Sequence, residues 1–518
     1  MSSPLSSERT LRIRDAVRSS RPARGLAPRS PVARLDRRRL PAGAVLTQSL
    51  GSIAPAAASS ITPAALLAVG AGPFAGWSAL LAIGLSVLIA TAVNTFTRRM
   101  AAPGSLYSFA VQGIGPLPGF LTGCALLLGY AGIAVTCVAA AAHSLVQLVP
   151  VALGPVLLPI ALAAAALLVA GIVALVVVRG TGGLWPWLLA VEIVSTAAVV
   201  VAAVVLLVDS AGMPAAPVEL PRTDALGGLP ASILVGVMVC ASGFVGFESG
   251  TALGPEAKRP YLSVPRIVRW TPIVTGLVLL FSTIAQTAAF RVTGLDPAHT
   301  AQPLHDLLGA VGRPFWWAPV LDVVVAASFL ACGIASVTAL ARLLFAMGLE
   351  GVLPFRLGRV HRRYRTPVVA LAAGLVLVGG IPVVALLVGV AARAVIDTAV
   401  GVGVLGYTLA YLGVSLAAPR FLRRIGEPAL GALVSSWVAA GALGILVPLW
   451  AVYQIASGRW LSLALTAGVL VVAAAYLLTT ASRHPERVRS LGVFDATSAV
   501  DVLPSDWASR REGPGPAA

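Results

Sequence analysis

Between residues 45 and 480 the chain is a succession of apolar runs of roughly 20 residues, separated by short stretches that hold charges, prolines and glycines. A helix rises 1.5 Å per residue, so about 20 apolar residues cross the roughly 30 Å hydrocarbon core of a bilayer. Only 11% of the residues are charged, whereas soluble domains carry about 25%. The pattern predicts an all-α polytopic membrane protein with the lipid bilayer as its surroundings.

The runs predict about twelve transmembrane helices, numbered here as spans one to twelve in chain order. They cover residues 44–68, 76–97, 117–143, 156–178, 184–208, 229–252, 267–290, 317–345, 367–390, 394–418, 429–452 and 460–481. The prediction therefore has three parts: a basic tail over residues 1–41, a transmembrane domain over 42–482, and a polar tail over 483–518. The composition of both tails predicts disorder.

The formal net charge of +17 raises the alternative of a nucleic-acid-binding protein. The location of the charges argues against it. With a cytoplasmic N-terminus, 31 of the 37 Lys and Arg residues fall in the tails or the inner connections, and only five fall in the outer ones. This asymmetry follows the positive-inside rule. It predicts a cell-membrane protein with both termini in the cytoplasm and no nucleic-acid partner. Arg342, near the inner end of span eight, can extend to the interface, so packing and anchoring are favoured over a role in gating.

The sequence predicts no metal and no cofactor. All four cysteines (Cys124, Cys137, Cys240 and Cys332) lie inside apolar runs without paired spacing, as buried free thiols do. Residues 401–406 match the glycine fingerprint of dinucleotide-binding loops, but they lie inside span ten without a preceding strand, so the match is taken as accidental.

Two spans contain residues that interrupt helices. Span one contains Pro55 and Pro63, and span six contains three glycines and Glu248 within residues 241–250. These are the first spans of two five-span units, and paired interruptions of this kind are typical of a transporter binding site. The alternative is close helix packing, for which Gly246-x-x-x-Gly250 is a known motif.

Three stretches resemble the amino acid–polyamine–organocation superfamily of permeases. The most specific is residues 243–260, with a Gly-hydrophobic-Glu element followed by an acidic-Ala-basic-x-Pro turn and then Val264-Pro265-Arg266. Residues 341–354 are similar to the exit of span eight in that family, and residues 102–107 to the loop before span three. The similarity covers about residues 42–480. It implies a LeuT-like fold: two inverted five-helix repeats plus two helices, with the solute bound between broken spans one and six.

The resemblance also implies the substrate-binding residues. Backbone N–H groups of span one are expected to bind a carboxylate, and carbonyls and side chains of span six to bind an amine. The expected residues are Ala56, Ala57, Ala58, Ser59, Tyr130, Ser242, Gly243, Phe244, Val245 and Gly246. Two departures from the family pattern are the triple alanine in span one and Ser242-Gly243 in place of a bulky aromatic. The second departure leaves Phe244 as the candidate lid.

Two acidic residues inside spans are candidates for ion coupling. An ionised carboxylate at this depth costs about 2.5–3.5 kcal/mol on insertion scales, so each needs a polar partner or a proton. Glu248 in span six either couples transport to protons or only holds the opened backbone in shape. Glu192 in span five either belongs to a coupling site beside spans one and eight or pairs with a hydroxyl such as that of Ser195.

Together these features predict a secondary active transporter that takes up an amino acid or a related amine by alternating access. An amine or polyamine exchanger of the same fold is the main alternative. A non-transporting membrane sensor is a further one, although neither tail resembles a folded signalling domain. No enzyme is predicted, because polar residues inside the spans are sparse. The solute, the coupling ion and the oligomeric state stay open.

Overall fold

The computed structural model describes residues 39–149, 154, 156–180, 182–214, 229–300, 302–314, 316–361, 366–489, 491–492 and 495–496. Most of both predicted tails, over residues 1–41 and 483–518, lies outside the described residues. Their disorder and their cytoplasmic location therefore stay predictions.

The described residues contain 11 helices that are long and apolar enough to cross a membrane, and one shorter apolar helix completes the series of twelve. The prediction of an all-α polytopic membrane protein is confirmed. The spans are Ala42–Ala68, Ala75–Thr97, Pro116–Gln147, Leu157–Arg179, Trp185–Ala211, Leu229–Ser242, Pro260–Thr293, Trp317–Leu349, Val368–Leu387, Ala392–Arg424, Leu430–Ala456 and Trp460–Arg483.

Short elements connect the spans. They are the α-helices Leu106–Ile114, Pro303–Ala310 and Pro485–Arg489 and the 3₁₀ helices Gly72–Phe74, Ser249–Glu256 and Phe355–Gly358. The two-residue strands Met100–Ala101 and Asp495–Ala496 pair antiparallel, with Met100 opposite Ala496. A segment near the end of the chain therefore lies against the connection between spans two and three.

The spans differ in how much of their surface is buried. In spans one and three, 78% of the most apolar 18-residue stretch is buried, whereas in span twelve the share is 22%. Large aliphatic side chains on the outer spans, such as Val376, Val471 and Val472, are exposed. An exterior with many exposed aliphatic side chains suits hydrocarbon rather than water. Broken span one is therefore held at the centre of the bundle.

The helix of span six is shorter than the sequence predicted. It ends at Ser242 rather than near residue 252, and residues 243–248 form turns before the 3₁₀ helix Ser249–Glu256 begins. Gly246 has φ +95°, and a Cβ added at Gly250 would lie 2.4 Å from Ser49 Oγ of span one. Both interpretations of the glycines therefore apply: Gly246 permits the open backbone and Gly250 permits close packing.

Candidate functional site between the broken spans

Span one is interrupted at a single residue. Ala54 adopts the left-handed conformation (φ 53°, ψ 63°) and separates the helices Ala42–Ile53 and Pro55–Ala68. The second helix begins at proline, which suits a first-turn position because its missing N–H has no helical partner there. Among the described hydrogen bonds, the Ala58 N–H donates to the Ala54 carbonyl at 2.9 Å, and none is donated by Ala56 or Ala57. Two N–H groups at a positive helix end thus lack a described acceptor.

The helix of span six presents its C-terminal end at the break, where backbone carbonyl groups lack described hydrogen-bond donors. The Gly243 and Phe244 N–H groups bond to the carbonyls of Cys240 and Ala241, at 3.0 Å each. No described hydrogen bond ends on the carbonyls of Ser242 or Gly243. The negative end of this helix therefore faces the second helix of span one, since a Cβ added at Gly243 would lie 3.5 Å from Ala58 Cβ.

A cavity of about 570 Å³ lies between these two breaks. Its wall includes backbone and side chains of both broken spans: Ala54, Ala57, Ala58, Ser242, Gly243 and Val245. Spans three, eight and ten supply further wall residues, among them Ile133, Thr136, Cys137, Phe329, Val400 and Val404. The cavity extends to the exposed residues Ala298, Arg393 and Arg459, on the side of the loops after spans seven, nine and eleven. It is therefore open on that side.

An ion pair lies on the opposite side of the bundle. Arg342 of span eight contacts Glu256 through Nε at 3.0 Å from Oε1 and through Nη2 at 3.2 Å from Oε2. The two side chains are only 12% and 11% exposed, so Arg342 is not the interfacial anchor that was expected. The Leu40 N–H donates to the Glu256 carbonyl at 2.8 Å, and Lys258 N–H donates to the Leu40 carbonyl at 2.9 Å. These contacts close the bundle on that side.

Glu248 is fully buried and its two carboxylate oxygens have different partners. Tyr411 of span ten donates to Oε2 at 2.5 Å, and Tyr130 of span three donates to Oε1 at 3.2 Å. The Tyr411 hydroxyl also accepts from the Gly246 N–H at 3.1 Å. The carboxylate thus joins spans three, six and ten, and Tyr411 ties it to the open backbone.

This polar cluster lies next to the cavity but outside its wall. Ile133 of span three and Val404 of span ten line the cavity. Tyr130, three residues before Ile133, and Tyr407, three residues after Val404, do not. The Tyr130 and Tyr407 rings meet edge to face, with centroids 5.4 Å apart. The tyrosines therefore form a layer about one helical turn beyond the cavity floor.

Glu192 is also fully buried, between spans one, five and eight. Ser328 Oγ donates to its Oε2 at 3.1 Å, so the carboxylate has a serine hydroxyl as its described partner, that of Ser328 in span eight and not that of Ser195. A cavity of about 20 Å³ lies beside it, lined by Gln48, Gly51 and Ala331 among others. That volume suffices for one water-sized occupant.

The structure brings together half of the residues that the sequence predicted for substrate binding. Ala57, Ala58, Ser242, Gly243 and Val245 line the cavity, whereas Ala56, Ser59, Tyr130, Phe244 and Gly246 do not. The Ser59 carbonyl instead accepts from Ser282 Oγ at 2.7 Å. Phe244 is not a lid: it is buried, and a Cβ added at Gly276 in span seven would lie 3.1 Å from its ring.

Sequence reasoning missed the contribution of span ten, and in span three it named Tyr130 for the site but none of the residues that line the cavity. Ile133, Thr136, Cys137 and Ala140 recur at helical spacing on one face of span three, and all line the cavity. Tyr407 and Tyr411 are four residues apart, so they share a face of span ten. Two tyrosines at this spacing inside an apolar span were the feature of the sequence from which a hydrogen-bond partner for Glu248 could have been predicted.

Residues 44–496 match the sequence model of a family described as amino acid permease. The chain is 28% identical to the low-affinity putrescine importer PlaP of Escherichia coli over 156 residues, or 30% of this chain and 33% of that protein. It is 28% identical to the branched-chain amino acid permease BcaP of Lactococcus lactis over 319 residues, or 58% and 66%. It is 31% identical to an uncharacterized transporter of Mycobacterium tuberculosis over 233 residues, or 42% and 50%. Each match spans less than two thirds of the relative.

Proposed function

Because the chain belongs to the amino acid permease family, we propose that it is a secondary active transporter that carries an amino acid or a related small amine by alternating access. The relatives named as a putrescine importer and a branched-chain amino acid permease support this substrate range. The proposal includes no catalytic step and no cofactor.

The observation that carries the proposal is the meeting of unpaired donors and acceptors at one cavity. Ala57 belongs to the N-terminal turn of one half-helix and Ser242 to the C-terminal end of another, and both line the cavity. A positive helix end favours a carboxylate and a negative one favours an ammonium. An α-amino acid carries both groups on a single carbon, so it matches this pair of half-helices.

The charge distribution supports an orientation for this cycle. With 31 of 37 Lys and Arg residues on one side, both termini lie in the cytoplasm by the positive-inside rule. The cavity then opens to the outside, and the Arg342–Glu256 pair lies on the cytoplasmic side. Release into the cytoplasm requires that this pair separate.

For proton coupling we propose Glu248 and Glu192, which the sequence singled out. Protonation would turn Glu248 from an acceptor of two tyrosine hydroxyls into a donor, and so would alter contacts between three spans. Glu192 lies beside the small cavity between spans one and eight. An exchanger that needs no proton gradient is the second candidate mechanism.

The test is uptake into proteoliposomes that contain the purified full chain. Labelled leucine, alanine, arginine and putrescine are offered with and without an inward proton gradient, and with and without internal unlabelled solute. Saturable uptake that the gradient stimulates would support symport, and uptake that depends on internal solute would support exchange. Leucinamide and N-acetylleucine are matched controls, because each lacks one of the two charges that the half-helices would bind. Equal competition by leucine and leucinamide would contradict the proposed site.

A further inference from the structure

The carboxylate, guanidinium and imidazole side chains of the large cavity lie near its mouth. They are His143, His305, Asp322, Arg393, Asp397 and Arg459. Asp397 has Arg393 one turn away, with Nε 3.7 Å from Oδ2. Asp322 and Asp397 each precede a deeper wall residue, Phe329 and Val404, by seven positions. At 1.5 Å per residue, the acidic side chains lie about 10 Å above these residues.

The deeper wall contains no charged side chain among the described residues. Opposite the broken spans it is formed by Ile133, Thr136, Phe329, Val400 and Val404. The Thr136 hydroxyl donates to the Gly132 carbonyl at 2.9 Å, so its hydrogen is already used. The half-helix ends bind the two polar groups common to all α-amino acids, and the side chain of a bound amino acid would therefore face an apolar wall.

Glu248 does not supply the missing charge. It is fully buried outside the cavity wall, and both of its oxygens accept tyrosine hydroxyls. Asp397, about one turn above Val400, is the carboxylate nearest to this wall among the described residues, and it already has the Arg393 guanidinium at 3.7 Å. A second ammonium or a guanidinium in the deep cavity would therefore be taken out of water without an unpaired carboxylate beside it. Burial of an unpaired charge is strongly unfavourable, whereas burial of an aliphatic side chain is favourable.

We infer that the substrate is an α-amino acid with a neutral apolar side chain, which contacts Ile133, Phe329, Val400 and Val404, and that diamines and cationic amino acids are excluded. This inference rests on the proposed function, and it selects among the substrates that the function allows. The apolar wall also selects for size, because one methylene group more or less changes the preference for a substrate about 10-fold or more in a hydrophobic pocket.

The test is competition for labelled leucine uptake by wild-type protein in proteoliposomes. Leucine, isoleucine and valine should compete at least 10-fold better than alanine, and arginine and putrescine should not compete at 100 times the leucine concentration. Competition by arginine or putrescine as strong as that by isoleucine would overturn the inference and leave the transport proposal intact. Absence of uptake or binding of every solute by folded protein would overturn both.

A variant pair tests the wall directly. Val400 is half-buried at the cavity surface, so a polar side chain there keeps some access to water. Val400→Asp should weaken leucine competition at least 10-fold and allow arginine to compete, whereas Val400→Asn, of similar size but uncharged, should weaken leucine without admitting arginine. If Val400→Asp left leucine competition unchanged, Val400 would not contact the substrate side chain. The inference that this wall selects the substrate would then be wrong.

Discussion

The hydroxyl of Tyr411 connects the buried Glu248 carboxylate to the open backbone of span six. It donates to Glu248 Oε2 at 2.5 Å and accepts from the Gly246 N–H at 3.1 Å. Tyr407, one turn earlier on the same helix, is equally buried, but its hydroxyl has no hydrogen-bond partner among the described residues. Span ten therefore contains one buried tyrosine whose hydroxyl forms hydrogen bonds and a second buried tyrosine whose hydroxyl forms none that is described, and the second serves as a control for the first.

We expect Tyr411→Phe to destabilise the protein by about 1–3 kcal/mol, because a buried carboxylate and a buried N–H each lose a partner. Uptake should fall at least 10-fold, since the same contact holds the break in span six. Tyr407→Phe should leave stability and uptake nearly unchanged, because it removes a hydroxyl that makes no described hydrogen bond. Thermal unfolding in detergent and proteoliposome uptake measure both effects. Equal losses in the two variants would show that ring packing, rather than the Tyr411 hydroxyl, supports the site.

Glu248→Gln separates the two interpretations of this residue. The amide preserves the size of the side chain and one oxygen acceptor, but it cannot alternate between a protonated and an ionised form as a carboxyl group does. We expect uptake driven by a proton gradient to be lost, while exchange of labelled for unlabelled solute at equal concentrations persists. Glu192→Gln, measured in parallel, shows whether the second carboxylate shares the role. Loss of both activities in a folded Glu248→Gln variant would favour the structural interpretation.

The sequence was sufficient for the membrane class and for the places where the helices break. Apolar length determines the spans, and Pro55 and Gly246 have local conformational effects that act regardless of tertiary context. Side-chain partners were not predictable in the same way. Glu192 pairs with Ser328 rather than Ser195, and Phe244 packs near span seven instead of covering the cavity. Such contacts depend on the rotation of each helix about its axis, and spans that are apolar all round carry little signal for that rotation.

Gly246→Ala should disrupt the break in span six. The residue has φ +95°, and an added Cβ would lie 2.8 Å from Ser52 Cβ and 3.0 Å from the Ser52 carbonyl oxygen. Strain of this kind costs about 1–3 kcal/mol, so we expect lower thermal stability and at least a 10-fold loss of uptake.

Gly243→Ala is the matched control for Gly246→Ala. Gly243 has no positive φ, and the nearest contact of an added Cβ is 3.3 Å, to the Cys240 carbonyl oxygen. The variant should keep most of its stability, although its new methyl group lies at the cavity wall and should weaken substrate binding. Unfolding temperature and half-saturation concentration separate the two effects. A Gly246→Ala protein as stable as Gly243→Ala would contradict the assigned role of the open backbone.

The Arg342–Glu256 pair can be tested by exchange of its charges. Each side chain is nearly buried, so removal of one partner leaves the other unpaired, at a cost of about 3–5 kcal/mol for a fully buried pair and less here. We expect Arg342→Ala and Glu256→Gln each to reduce uptake and to weaken closure of the side opposite the cavity mouth. The double variant Arg342→Glu with Glu256→Arg restores an opposite-charge pair between the same two elements and should recover part of the uptake. If the double variant is no better than the single ones, the attraction between these residues is not what closes that side, since coupled residues must show a non-additive effect.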